Sequence, residues 1–240
     1  MNSTILKSVS KPGRYCGGEY GQIVKDKAGI NCRVAFCFPD TYEIGMANLG
    51  LRILYGVLNR EPDVWCERVF APWLDMQEQM QKYALPLCAL ESGDPVGDFD
   101  IVAFTLQYEM CYTTVLNMLS LAGIPLLASA RGEDAPIIIG GGHCAYNPGP
   151  IADFFDIFSI GVGEEALPEL ARLYISMKQD GTYTRAAFLH AAAKLDGFYV
   201  PSLYAVDYNP DGTISGITPK YDDIPKKVRK RIIRDLDKVF

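Results

Sequence analysis

Apolar positions along this chain fall into two alternating rhythms. Short, nearly continuous apolar runs at 33–38, 65–70, 100–106, 136–140 and 156–160 predict strands buried on both faces. Stretches with helical spacing lie between them. Over 46–60, Met46, Leu49, Ile53, Leu54, Val57 and Leu58 share one helix face. Residues 73–83 predict a polar helix, rich in Gln and Met, that covers the sheet from outside. Residues 112–122 predict a helix ended by Gly123, with Pro125 just beyond. Residues 164–177 predict another, whose first-turn acids Glu164 and Glu165 suit the positive end of the helix dipole. Strands alternating with helices, each strand nearly all apolar, predict an α/β domain. Its five-stranded sheet is parallel and doubly wound.

Beyond that unit the rhythm shortens. Residues 183–195 predict one more helix, and 198–200, 204–208 and 213–218 predict short strands. Asn209-Pro210-Asp211-Gly212 predicts a hairpin turn between the last two. The organisation expected is an N-terminal arm over 1–30, the main domain over 31–180 and a small α+β extension over 181–218. Residues 219–240 read as a linker. There a basic run, Lys226-Lys227-Val228-Arg229-Lys230-Arg231, opens the stretch Lys226 to Arg234, which interleaves charge with only Val228, Ile232 and Ile233, too few apolar residues for burial. It is expected to be poorly packed or docked on a neighbouring copy. It reads as a solvated linker face rather than an RNA patch.

The chain of 240 residues is 49% hydrophobic, enough for one core and an appendage. A net charge of −6 argues against wholesale nucleic-acid binding. No apolar run approaches a membrane span, and the N-terminus lacks an apolar signal core. Seven cysteines, an odd number with several in apolar surroundings, point to reduced thiols in a cytoplasmic protein without disulfides. No pair has the spacing of a zinc knuckle, and no three stand close enough for a compact iron–sulfur motif.

In an open α/β sheet, ligands bind beyond the carboxyl ends of the strands. Four loops should meet there: Pro39 to Gly45, Gln107-Tyr108-Glu109, Gly140 to Tyr146 and Gly161 to Glu165. One glycine-rich loop is most simply a tight turn. Two at consecutive strand ends, Gly140-Gly141-Gly142 and Gly161-Val162-Gly163, favour an edge that a ligand approaches. Asp40, Tyr42, Tyr108, Gly140, Gly141, Gly142, His143, Gly161, Gly163 and Glu164 are therefore expected to converge on one cleft. Glu164 also has a plain reading as helix N-terminal charge. The glycines form neither a dinucleotide fingerprint nor a Walker loop. His190 reads as structural, Cys144 beside His143 is poorly placed as a nucleophile, and no catalytic or metal-ligating set can be assembled.

The segments Phe38-Pro39-Asp40-Thr41-Tyr42-Glu43-Ile44-Gly45-Met46, Glu67 to Trp73, Leu106-Gln107-Tyr108-Glu109, Gly141-Gly142-His143 and Gly161-Val162-Gly163-Glu164-Glu165 resemble the N-terminal B12-binding-like domain of uncharacterised radical SAM proteins. The resemblance runs over most of residues 10–180. It implies a flavodoxin-like fold of the cobalamin-binding type. It also implies a corrinoid at the carboxyl edge, and a following barrel that carries S-adenosylmethionine and a four-iron cluster. The chain stops at Phe240, before any such barrel, and reads as truncated. Its expected partner is its own radical SAM domain, and alone it should be inactive. Many B12 carriers offer cobalt a histidine from the loop after the first strand, where this chain has Tyr42. Two rivals stand beside the carrier reading: a substrate-docking or interaction domain without cofactor, and a flavin-binding domain. The second is disfavoured because no Ser/Thr-rich phosphate loop follows the first strand.

Overall fold

The computed structural model of the protein describes residues 3–235. Residues 1, 2 and 236–240, the ends of the expected arm and linker, lie outside the described residues. A helical turn, α1 (Ser3–Leu6), opens the arm. The main unit then runs β1 (Cys32–Phe38), α2 (Tyr42–Ala47), α3 (Leu49–Arg60), β2 (Val64–Phe70), α4 (Leu74–Tyr83), β3 (Ile101–Thr105), α5 (Tyr112–Leu121), β4 (Ile137–Gly141), β5 (Ile157–Ser159) and α6 (Gly163–Gln179). It continues through α7 (Arg185–Ala192), β6 (Phe198–Tyr199) and a hairpin of β7 (Tyr204–Tyr208) and β8 (Ile214–Pro219).

The sheet order is β2-β1-β3-β4-β5-β6. The first five strands are parallel and β6 is antiparallel, pairing Phe198 with Ser159 and Tyr199 with Phe158. The sheet therefore has six strands, not the five expected. Gly197 turns the chain at a φ of +94° and lays Phe198 against β5. An apolar run of two or three residues does not reveal which sheet it joins.

Strand alternation sends side chains to two faces. Val34, Phe36, Ile101 and Ile139 pack under α3 and α6, against Leu51, Leu58, Leu167 and Leu170. Cys37, Val69, Phe104 and Ile138 pack on the other face, against Met76 and Met80 of α4 and Val115 and Met118 of α5. The single helix expected over 46–60 is two. Asn48 leaves the helical conformation, and its Oδ1 accepts from the Leu51 N–H at 2.9 Å. An Asn side chain competes for backbone donors in this way and starts a new helix.

The arm is tied along the β2 side. The Ile23 N–H donates to Tyr55 Oη (2.7 Å), Trp65 Nε1 donates to the Ile23 carbonyl (3.1 Å) and the Trp73 N–H donates to Tyr15 Oη (3.1 Å).

Over the described residues 219–235 only Ile224 is buried, in keeping with the sparse apolar pattern, but the segment is tied to the body at two points. Ile224 is 2% exposed, and the Tyr204 hydroxyl donates to the Pro225 carbonyl at 2.7 Å. The Arg231 N–H donates to the Ile160 carbonyl (2.8 Å), and the Val162 N–H donates to the Arg231 carbonyl (3.2 Å). The Arg231 guanidinium pairs with Glu165 (3.3 Å) and Glu169 (2.8 Å) on α6. Backbone pairing and one ion-paired arginine hold this strap, contacts that a count of apolar residues does not reveal.

Candidate functional site at the carboxyl edge

The five parallel strands all end on one side of the sheet, and the loops that follow them meet there. After β1, the Asp40 carbonyl accepts the Ala71 N–H of the loop after β2 at 2.9 Å. Its carboxylate accepts the Thr41 N–H (2.7 Å) and the Tyr108 hydroxyl of the loop after β3 (3.3 Å). Asp40 thus ties three loops. Burial, then the nearby Asp40 carboxylate, pushes the Tyr108 hydroxyl pKa up, so it stays a proton donor. Tyr42 stands edge-on to Phe70, ring centroids 5.5 Å apart. Burial raises its pKa as well.

The loops after β3 and β4 are laced together. The Leu106 N–H donates to the Gly141 carbonyl (2.6 Å), and the Cys144 N–H donates to the Leu106 carbonyl (3.1 Å). Gly142 has a φ of +112°, and a Cβ there would lie 2.8 Å from the Leu106 oxygen. A Cβ on Gly140 would meet Leu106 Cδ1 at 2.8 Å, and one on Gly163 would meet Leu54 at 3.1 Å. At Gly161, φ +108°, it would fall on the backbone of Arg231. Only Gly141 of this set has ordinary room, 3.7 Å from Ser159 Cβ. His143 is exposed and opens a short 3-10 turn, and Glu164 lies in the first turn of α6. The structure joins Asp40 to Tyr108 and sets Gly140–Gly142 beside Leu106. It gives Gly161 to the strap, and Gly163 to the contact between α6 and α3.

Two residues here escaped the sequence reading. Thr105 pairs in register with Gly141, and Gly141 with Ser159. By alternation the three share the face of Ile101, Ile139 and Ile157. Thr105 and Ser159 are 7% and 5% exposed, and Thr105 Oγ1 is buried with no hydrogen-bond partner among the described residues. The signal was a hydroxyl closing each of two otherwise apolar runs.

Around this polar row the rim is apolar and open to solvent. Ile44, Trp73, Leu74, Tyr108, Met110 and Tyr146 are exposed by 45–83% and come from the segments that follow β1, β2, β3 and β4. A separate cleft of about 290 Å³ lies between the arm, β2 and residues 85–93, lined by Tyr42, Phe70, Met76, Arg68 and Glu91. Arg68 there is held by Glu91 (2.6 Å) and Glu19 (3.4 Å). Burial pushes the Glu91 carboxyl up.

No three His, Cys, Asp or Glu side chains gather as metal ligands among the described residues. No helix there is long and apolar enough to cross a membrane. The residues present do not form a corrinoid cradle. Tyr42 packs on Phe70 where an axial histidine would stand, and the turns at Gly142 and Gly161 are filled by the backbones of Leu106 and Arg231.

The uncharacterized protein MJ0966 of Methanocaldococcus jannaschii is 24% identical over 153 residues, 63% of this chain and 29% of that protein. The chain thus spans under a third of this relative's length. No solved structure matches the chain. The model of a family described as radical SAM proteins, N-terminal, matches residues 50–201, from the start of α3 to just past β6. That match covers more than half of the chain, which therefore belongs to the family of N-terminal domains of radical SAM proteins.

Proposed function

We propose that this domain caps the catalytic part of a radical SAM enzyme, with the carboxyl edge of its sheet set against that part. The observation that carries the reading is the rim of Ile44, Trp73, Leu74, Tyr108, Met110 and Tyr146, exposed together on one side of the sheet. Apolar groups concentrated on one functional edge mark a surface that another surface covers. The strand order 2-1-3-4-5 is flavodoxin-like, and in that order the carboxyl edge is where ligands and partners are met. Family membership supplies the partner: the radical SAM portion, with its S-adenosylmethionine and four-iron cluster, in a longer protein. The chain's own residues bind and orient; bond cleavage belongs to that portion. The corrinoid-carrier reading ranks second, because the glycine turns it needs are filled.

The test compares amide exchange in the long protein and in this chain alone. The loops at 40–46, 71–75, 106–112 and 142–147 should exchange more slowly in the long protein. Trp73→Asp combined with Met110→Asp should abolish that difference. Equal exchange in both proteins overturns the reading. A stoichiometric change in visible absorbance when cobalamin is added would replace it with the carrier reading.

A further inference from the structure

The strap offers a second surface of different chemistry. It is pinned at one end by buried Ile224 and at the other by Arg231, with Val228 half-buried between them. Lys226, Lys227, Arg229 and Lys230 all point to solvent, and none has an ion-pair partner among the described residues. Three nearby acids are engaged elsewhere: Asp223 by His190 and Lys194, Glu165 and Glu169 by Arg231. A free linker relieves like-charge repulsion by flexing. A strap fixed at both ends cannot, so it holds four unneutralised cations in a row on a chain of net charge −6.

We infer that this strap binds the phosphate backbone of single-stranded nucleic acid. A linear row of cations complements a linear polyanion. A planar anionic membrane would bring the remaining acidic surface close and be repelled. With phosphates as the only contact, binding is tolerant of sequence and falls steeply with salt.

The experiment titrates the 240-residue chain into labelled oligouridylate and oligothymidylate, each about 20 nucleotides long, and reads anisotropy. Four phosphates neutralised should lower the affinity about 50-fold between about 50 and 200 mM salt. Replacing Lys226, Lys227, Arg229 and Lys230 together by Ala should cost about tenfold or more at low salt and flatten the salt dependence. These side chains are exposed, and an unchanged thermal melt confirms that the variant folds. Phosphatidylserine vesicles and polyglutamate serve as rival polyanions. Oligonucleotide affinity unchanged in the variant or insensitive to salt overturns the inference, and so does binding to either rival as tight as to the oligonucleotides.

Discussion

Arg231 sits between two glycines that admit it. A Cβ at Gly161 would strike the Arg231 backbone, and one at Gly197 would lie 3.1 Å from Arg231 Cβ. Gly161→Val should therefore unseat the strap while leaving the sheet intact, at a cost of about 1–3 kcal/mol. Trypsin cutting at Lys226–Arg231 much faster than in the wild type is the expected readout, and unchanged cutting would sink the idea. At the opposite edge, Asp156 accepts from Arg131 (3.0 Å), Arg185 (2.7 Å) and the Ile138 N–H (2.8 Å). Asp156→Ala leaves two buried guanidiniums without their carboxylate and should cost about 3–5 kcal/mol in urea unfolding. Glu43 couples the arm to pH. Its hydrogen bond from Arg14 holds its carboxyl at about 2, below the ordinary 4.5. A depressed carboxyl stabilises the arm fully above its unfolded value, and that hold is lost as pH falls through about 2. Amide protection of residues 11–16, taken relative to the intrinsic exchange rate at each pH, should fall across that window, and should fall less in Glu43→Gln. At this scale the sequence showed where glycines stand but not why. A glycine that admits a ligand and one that admits the chain's own backbone have the same one-letter signature. Asp40 and Tyr108 were legible because parallel strand ends must meet. Thr105 and Ser159 were not, since a lone hydroxyl at a strand end is ordinary until its partners are known.

Among the elements, the five parallel strands were readable because burial on both faces leaves no polar position to blur the run. The helices split from expectation at Asn48. Asn48→Ala should remove the cap on α3 and cost about 1 kcal/mol, measured as a shifted urea midpoint at constant slope. Local pattern does not carry two further features. β6 is two residues long and owes its place to the turn at Gly197. The strap owes its place to hydrogen bonds made 66 to 71 residues away in sequence, from Arg231 to Glu165 and Ile160. Backbone pairing over such distances leaves no trace in the periodicity of side chains.

The whole molecule has one sheet between two cores, and its cysteines report on both. Cys32 and Cys66 lie in the core under α3 and α6, and Cys37 in the other. Burial pushes all three thiols well up, so they resist alkylation in the folded state. Cys16 is exposed. In native buffer Cys16 should react first. With rising urea the three strand thiols should become reactive together if the cores unfold as one unit. Staggered labelling, followed by mass spectrometry, would show two cooperative units instead. The family of the domain was legible at this scale from its loop segments; what the edge meets was not, because exposed side chains state their chemistry but not their partner.

The two ends of the sheet carry a consequence of their own. Outside β2, the Arg68 carbonyl accepts the Leu90 N–H at 2.9 Å and the Arg68 N–H donates to Glu91 at 2.7 Å. Outside β5, a two-residue antiparallel strand and then Arg231 occupy the free backbone. A strand so short cannot template another, and a row already hydrogen-bonded has nothing left to offer. The sheet is closed to growth from either side. Copies of this protein crowded together therefore find no free ladder at either edge of the six-stranded sheet, and only the exposed hairpin of β7 and β8 offers strand edges among the described residues. An assembly made through the six-stranded sheet is built face to face through side chains, and it can be taken apart again without unzipping that sheet.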